Sequence, residues 1–155
     1  MSMLDRISYY WGRVVGGITG TNSPEKARET ILDDIRRATS EVRVVSCTAD
    51  MSYWNDQVID SLEHKIRSHP GLIVEFLVGP KFSNERLDRL AREKKITLLH
   101  IPERPPCDCR IIDSRDTYTS NHGDAGVPRK YCWTFGNAKA LKDREHYYAC
   151  LRRSA

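Results

Sequence analysis

His69-Pro70-Gly71-Leu72-Ile73-Val74-Glu75-Phe76-Leu77-Val78-Gly79-Pro80 holds a helix stop, an apolar run and a chain break. His69-Pro70-Gly71 ends a helix firmly, and Gly79-Pro80 breaks whatever precedes it. Between them, Leu72–Val78 is almost continuously apolar, the pattern of a parallel strand covered on both faces. The same unit recurs on either side. Upstream, Ser23 can cap a helix, Pro24 suits its first position and Glu25 favours the positive end of its dipole. Ala27, Ile31, Leu32, Ile35 and Ala38 then form one apolar stripe on an otherwise charged helix. Val42–Cys47 follows as a strand. A second helix starts at Asn55 or Asp56, with Val58, Ile59, Leu62 and Ile66 inward. Downstream, Ser83 or Asn84 caps a third helix whose inward residues are Leu87, Leu90 and Ala91, and Ile96–Ile101 is another strand. Strand–helix–strand–helix–strand with these loop lengths predicts right-handed parallel crossovers.

Composition sets the bounds. The 155 residues are 39% hydrophobic and 30% charged, ordinary values for one globular domain with a core of its own. The longest apolar runs are of strand length, well short of the roughly 20 residues of a spanning helix. Asp5 and Arg6 precede a mixed aromatic stretch, which is not a secretory signal pattern, so a cytoplasmic location is expected. Five cysteines are an odd number, which predicts reduced thiols rather than a disulfide framework. A net charge of +4 permits an anionic ligand but falls short of a nucleic-acid signature. Ile7, Tyr10, Trp11, Val14 and Val15 recur at helical spacing, so residues 1–22 are expected to be an N-terminal helical extension and residues 23–155 the α/β domain.

Beyond Pro102, Pro105 and Pro106, which force an extended excursion, Cys107 to Gly123 reads as a hairpin. Ile111-Ile112 leads into a turn at Asp113–Asp116, and Thr117-Tyr118-Thr119 is rich in strand formers. This is the densest group of reactive and polar side chains in the chain. A Gly/Pro loop from His122 to Lys130, a strand at Tyr131–Phe135 and a helix from about Asn137 to Arg152 complete the pattern. Ala140, Leu141, Tyr147 or Tyr148 and Leu151 are the inward positions of that helix. The expected fold class is α/β, a mixed sheet with helices on both faces.

Over residues 23–152 this order of elements resembles one half of a phospholipase D-like domain. That family's signature is His-x-Lys, four residues, Asp, and a Gly-Ser-x-Asn-like element after the next strand. Asp113 takes the place of the motif Asp, Tyr118 that of the aromatic in the next strand, and Ser120 and Asn121 fall where the small and amide residues would be. The His position is Pro106 and the Lys position is Asp108. Sliding the register to put Arg110 at the Lys position places Asp108 at the His position and breaks the Asp spacing. Neither register supplies an imidazole. The resemblance implies a mechanism with a His nucleophile, a second His as general acid, and Lys and Asn holding phosphate. Proline cannot be a nucleophile, and an aspartate in the lysine position repels a phosphate.

The expectation that follows is a non-catalytic phospholipase D-like domain that binds an anionic, phosphate-bearing ligand or a protein partner. The ligand-binding candidates are Arg110, Ser120, Asn121, His122, Arg129 and Lys130; Arg129 and Lys130 close the Gly/Pro loop, and arginine suits bidentate phosphate contact. One alternative is an active phosphodiesterase or nuclease with a rearranged site of Asp108, Arg110, Asp113, Asn121 and His122. Another is an interaction or assembly domain of a larger regulatory complex. Nucleic acid is a further candidate partner, peripheral membrane contact ranks below it, and the resemblance implies that two copies pair. No cofactor is expected. Cys107, Cys109 and Cys132 are weak metal candidates: Cys107-x-Cys109 is a single chelating pair where structural zinc sites usually show two. A Cys47–His100 nucleophile pair is a rival reading, since both residues end strands near one sheet edge. The basic residues Arg86, Arg89, Arg92, Lys94 and Lys95 are interleaved with acids and read as a solvated helix face. Trp54, Trp133 and Tyr131 read as packing residues.

Overall fold

The computed structural model describes residues 18–21, 23–49, 51–121 and 130–155. In chain order its elements are β1 (Ile18–Thr21), α1 (Pro24–Arg37), β2 (Glu41–Ser46), α2 (Asp56–Ser68), β3 (Ile73–Val78) and α3 (Glu85–Arg92). Then come β4 (Thr97–His100), β5 (Asp108–Ile112), β6 (Asp116–Ser120), β7 (Tyr131–Phe135) and α4 (Ala138–Ser154). Among the described residues the strands make one seven-stranded sheet in the order β1-β7-β6-β5-β2-β3-β4. β2, β3 and β4 are parallel, as the helical crossovers require, and the other pairings are antiparallel. The sheet is therefore mixed.

Side chains at the expected caps start the helices. Ser23 accepts from the Lys26 N–H, Asn55 from Val58, Asn84 from Leu87 and Asn137 from Ala140. Each satisfies one of the free donors of a first turn. On one face of the sheet, Val42 and Val44 of β2 and Val74, Phe76 and Val78 of β3 pack against Ile31 and Ile35 of α1, Ile59 and Leu62 of α2, and Leu87 and Leu90 of α3. The alternate residues Val45, Leu77, Cys109 and Ile111 face the other way and pack with Tyr148 of α4. Burying each of these larger apolar side chains contributes about 1.5–3 kcal/mol. Glu75 is the polar exception in β3, and it is matched on that face by the Tyr148 hydroxyl at 2.7 Å and Arg152 Nε at 2.9 Å.

Two expectations change here. Residues 18–21, assigned above to a helical extension, form strand β1 and pair with β7, Ile18 opposite Thr134 and Thr21 opposite Tyr131. Residues 7–15, where the helix was expected, lie outside the described residues. The basic face of α3 is ion-paired as much as solvated: Arg86 reaches Asp60 at 2.6 Å and Glu63 at 2.8 Å on α2.

Candidate functional site

A cleft of about 190 Å³ opens at the carboxyl end of β2. There the sheet changes character, with parallel β3 on one side of β2 and antiparallel β5 on the other. The ends of strands at such a reversal are where open α/β sheets place ligands. Ser46, Cys47 and Thr48 form one wall and Asp108, Cys109 and Arg110 of β5 another; Ile31, Tyr53, Trp54, Tyr118 and Arg104 help to enclose it.

Local bonds hold these walls. Ser46 Oγ accepts from the Ala49 N–H at 2.9 Å, which turns the chain sharply after β2. Buried Asn84 caps α3 and also donates from Nδ2 to the carbonyls of Ala49 at 2.9 Å and Trp54 at 3.1 Å, tying the 49–54 segment to α3. Asp108 Oδ1 accepts from the Cys47 N–H at 2.9 Å and so joins the two walls across the mouth of the sheet.

Arg110 is 4% exposed, and its charge is met from behind. Nε and Nη2 both reach Asp34 Oδ2, at 2.9 and 2.8 Å, and Nη2 lies 3.4 Å from Thr30 Oγ1. Its guanidinium carbon sits 3.8 Å from the centre of the Tyr118 ring. No hydrogen bond from Nη1 occurs among the described residues. Asp34 also binds Arg37 at 2.9 Å, and Arg37 continues to Asp116 at 2.8 Å and Asp33 at 3.2 Å. Burial pushes the Asp34 carboxyl above its ordinary range even against two arginines. Trp54, 3% exposed, stands edge-on to Phe76 at 4.8 Å.

The sequence candidates scatter. Asp108 and Arg110 are on the cleft, two residues apart on one face of β5. Asp113 is at the far end of that strand, about 16 Å away by strand rise. Its carboxylate accepts from the backbone N–H groups of Thr39, Ser40 and Glu41 at 2.8–3.0 Å and from the Thr39 and Ser40 hydroxyls. A rearranged site that joins Asp113 to Asp108 is therefore not assembled. Burial raises the Asp113 pKa, but these donors outweigh it and the net shift is downward. Ser120 is the register partner of Asp108 and is buried outside the cleft lining, donating to the Asn121 carbonyl at 3.3 Å. Asn121 Oδ1 accepts from the exposed Lys130 N–H. His122 and Arg129 lie outside the described residues.

Cys109 and Cys132 are register neighbours of the same residue, Thr119, one on each side of it, so a whole strand separates them. Among the described residues no group of three or more His, Cys, Asp or Glu side chains is arranged to hold a metal ion. Burial pushes the Cys109 thiol up to about 12, which leaves it an inert small side chain. Strand β3 similarly separates Cys47 from His100, which packs its ring on Phe82 at 5.5 Å. Sequence reading missed Asp34, which holds Arg110 from behind, and Trp54, which lines the cleft. Asp34 had a signal, since it sits on the apolar stripe between Ile31 and Ala38, where a charge needs a buried partner.

No family model and no curated protein matches the chain. Solved structures do. An archaeal chromatin protein, TrmBL2, whose structure shows a novel mode of DNA binding, superposes at TM-score 0.68 with 10% identity, over 95% of this chain and 56% of that one. The present chain thus spans little more than half of that protein. NucT from Helicobacter pylori matches at TM-score 0.66 and 12% identity, over 88% of this chain and 96% of its own. Nuc from Salmonella typhimurium, a phospholipase D family member, matches at 0.64 and 16%, over 89% and 95%. At these identities the likeness establishes the architecture: the chain has a phospholipase D-like fold.

Proposed function

We propose that this phospholipase D-like fold serves as a binding domain without phosphodiesterase chemistry, its ligand an anion held in the cleft at the end of β2. The observation that carries this reading is Arg110, a buried cation on the cleft wall, held by Asp34, with one guanidinium nitrogen that makes no hydrogen bond among the described residues. Two features support binding over reaction. The position that the resemblance gives to lysine is Asp108, whose carboxylate bonds the Cys47 N–H and adds negative charge where a phosphoryl group would need positive charge. Among the described residues that line the cleft there is no histidine. Without a nucleophile or a general acid, such a site loses several orders of magnitude in rate.

The test has two arms. Purified protein is incubated with bis-p-nitrophenyl phosphate and with single-stranded DNA, with and without divalent metal; no turnover above background is expected. Turnover that disappears in Asp108→Ala would make the rearranged-nuclease reading correct and this one wrong. In the second arm, small anions are screened by thermal shift and calorimetry, with Arg110→Lys expected to weaken any anion that binds. The chromatin protein's DNA binding makes an electrophoretic shift with single- and double-stranded DNA part of the same screen. DNA binding that ignores Arg110→Lys would move the interaction surface away from the cleft.

A further inference from the structure

We propose that the outer face of α4 is a docking surface for the phosphodiester backbone of a nucleic-acid duplex, bound without regard to base sequence and apart from the cleft at the end of β2. The observation is a row of cations. At 3.6 residues per turn, Lys139, Lys142, His146, Cys150 and Arg153 fall along one side of the helix, opposite buried Tyr148, and all of them are exposed. The row is about 21 Å long at helical rise. Among the described residues none of Lys139, Lys142 and Arg153 is in an ion pair. Arg153 Nη2 lies 3.2 Å from Cys150 Sγ, which His146 Nε2 approaches to 3.6 Å. The other charges of the helix do not cancel the row. Glu145 is taken by Arg43 at 3.1 Å, and Arg152 by Glu75 at 2.9 Å. Arg144 is half-buried, and Asp143 flanks the row and subtracts one charge. In all, α4 holds five Lys and Arg against two Asp and Glu, a surplus of three in a chain of net charge +4.

Solvation of a helix face does not account for this arrangement. On α3, by contrast, Arg86, Arg89 and Arg92 are each met by a carboxylate within 3.7 Å. The helix dipole favours cations at a carboxyl end, which explains Arg152 and Arg153. Lys139 stands in the first turn, which holds no acid and where the dipole disfavours positive charge. The same face decides the partner. Among the described residues the exposed large hydrophobic side chains are Met51 and Ile73, neither of them on α4. A bilayer surface is held by apolar side chains sunk among its headgroups, a single strand by exposed aromatic rings, and a protein partner by an aromatic or apolar anchor. The α4 row has none of these: Tyr148 is buried, and the Tyr147 hydroxyl is held by the Cys107 carbonyl at 2.7 Å. A straight row of charge without an anchor fits a partner bound through charge alone, and a duplex presents about one phosphate per 1.7 Å of its axis.

The experiment is fluorescence anisotropy of short labelled duplexes of mixed sequence, one DNA and one RNA, titrated with the whole chain from about 50 to 200 mM salt. Three phosphate contacts on DNA predict a slope of log K against log salt of about −2.7, a loss of roughly 40-fold over that range. Lys139→Gln, Lys142→Gln and Arg153→Gln should each reduce the slope by about 0.9, and the triple variant should leave almost no salt dependence. A control with the same change in charge, Arg67→Gln, Arg92→Gln and Lys95→Gln, alters exposed residues of the helical layer on the opposite side of the sheet. It should change binding by less than about twofold, because charges beyond a Debye length are screened. Circular dichroism checks that both triple variants stay folded. Either duplex bound with the expected slope supports the docking surface, and the tighter of the two names its source. Three results would overturn it: no duplex binding at about 50 mM salt, an α4 triple variant that binds like the parent, or an equal loss in the control. Tighter binding to single-stranded DNA, or phosphatidylserine vesicles bound through the same residues while duplexes are not, would overturn the choice of partner.

Discussion

At Asp113 a single carboxylate accepts hydrogen bonds from three consecutive backbone N–H groups, Thr39, Ser40 and Glu41, just before β2 begins. The residue itself has φ +54°, a conformation that asparagine and aspartate tolerate better than most. Its role in this fold is to close the β5–β6 turn onto the chain entering β2. Asp113→Ala should therefore cost about 2 kcal/mol in chemical denaturation, from lost bonds and an alanine in the left-handed region. Asp113→Asn, which keeps one acceptor and the backbone preference, should cost clearly less. Equal losses in the two variants would contradict the capping role. The cysteines give a second residue-scale expectation. Brief iodoacetamide treatment of native protein followed by peptide mass spectrometry should label exposed Cys150 first and buried Cys109 last. Comparable labelling of the two would mean that β5 opens readily. Arg110 was visible in the sequence as a candidate, whereas its partner Asp34 gave only the signal of a charge on the apolar stripe of α1, which names no partner. A charge declares itself as buried only once the face that covers it is known.

Among the elements, the turn after β2 is the one on which the cleft depends. Gly79, at the end of β3, sits against it: a Cβ added there would lie 2.8 Å from the Cys47 carbonyl oxygen and 3.3 Å from Pro105 Cδ. A backbone oxygen cannot move aside cheaply, so Gly79→Ala should destabilise by about 1–3 kcal/mol and shift the Cys47–Thr48 wall. Asn84 supports the same turn from the other side. Asn84→Asp keeps an acceptor for the Leu87 N–H but loses both donations, to Ala49 and Trp54. Leaving two buried carbonyls unbonded beside a buried carboxylate should lower the unfolding free energy by about 2–4 kcal/mol. If Asn84→Asp unfolds like the parent protein, the clamp is not what holds the 49–54 segment. Asn84 was legible as a helix cap, because capping follows from local spacing. Its second function joins residues 30 and 35 positions apart, and no local pattern carries that information.

For the whole molecule, the acids at the sheet set its acid stability. Burial raises both Asp113 and Glu75, but hydrogen bonds, from the Thr39–Glu41 backbone in one case and from Arg152 and Tyr148 in the other, leave both below their ordinary values. Carboxyls that are more acidic in the folded state contribute stability above the unfolded pKa of about 4, and that contribution is lost as pH falls below it. Asp34, raised by burial, acts with the opposite sign. Thermal midpoints should therefore hold from pH 7 to about 5 and fall below about pH 4. A protein carrying Asp113→Asn and Glu75→Gln should start lower and fall less steeply. The same slope in both proteins would assign acid sensitivity to other groups. Among the described residues α4 is the helix that covers the sheet face opposite α1, α2 and α3. Its Tyr148 and Arg152 are held by Glu75, a polar residue in an otherwise apolar central strand.

The amino-acid sequence by itself determined the helices, their caps, the parallel strands and the hairpin. Periodicity, turn chemistry and side-chain capping act over a few residues and can be read along the chain. It also determined that no His-x-Lys pair precedes Asp113, which is a matter of residue identity. Only the tertiary structure decided that β5 lies antiparallel beside β2, that residues 18–21 close the far edge of the sheet, and that Asp108 and Asp113 stand at opposite ends of one strand. It alone joined Arg110 to Asp34 across 76 positions and set Trp54 on the same cleft. Which strands become neighbours depends on burying whole faces at once, and the partners of a buried charge follow from that choice rather than from any neighbour in sequence.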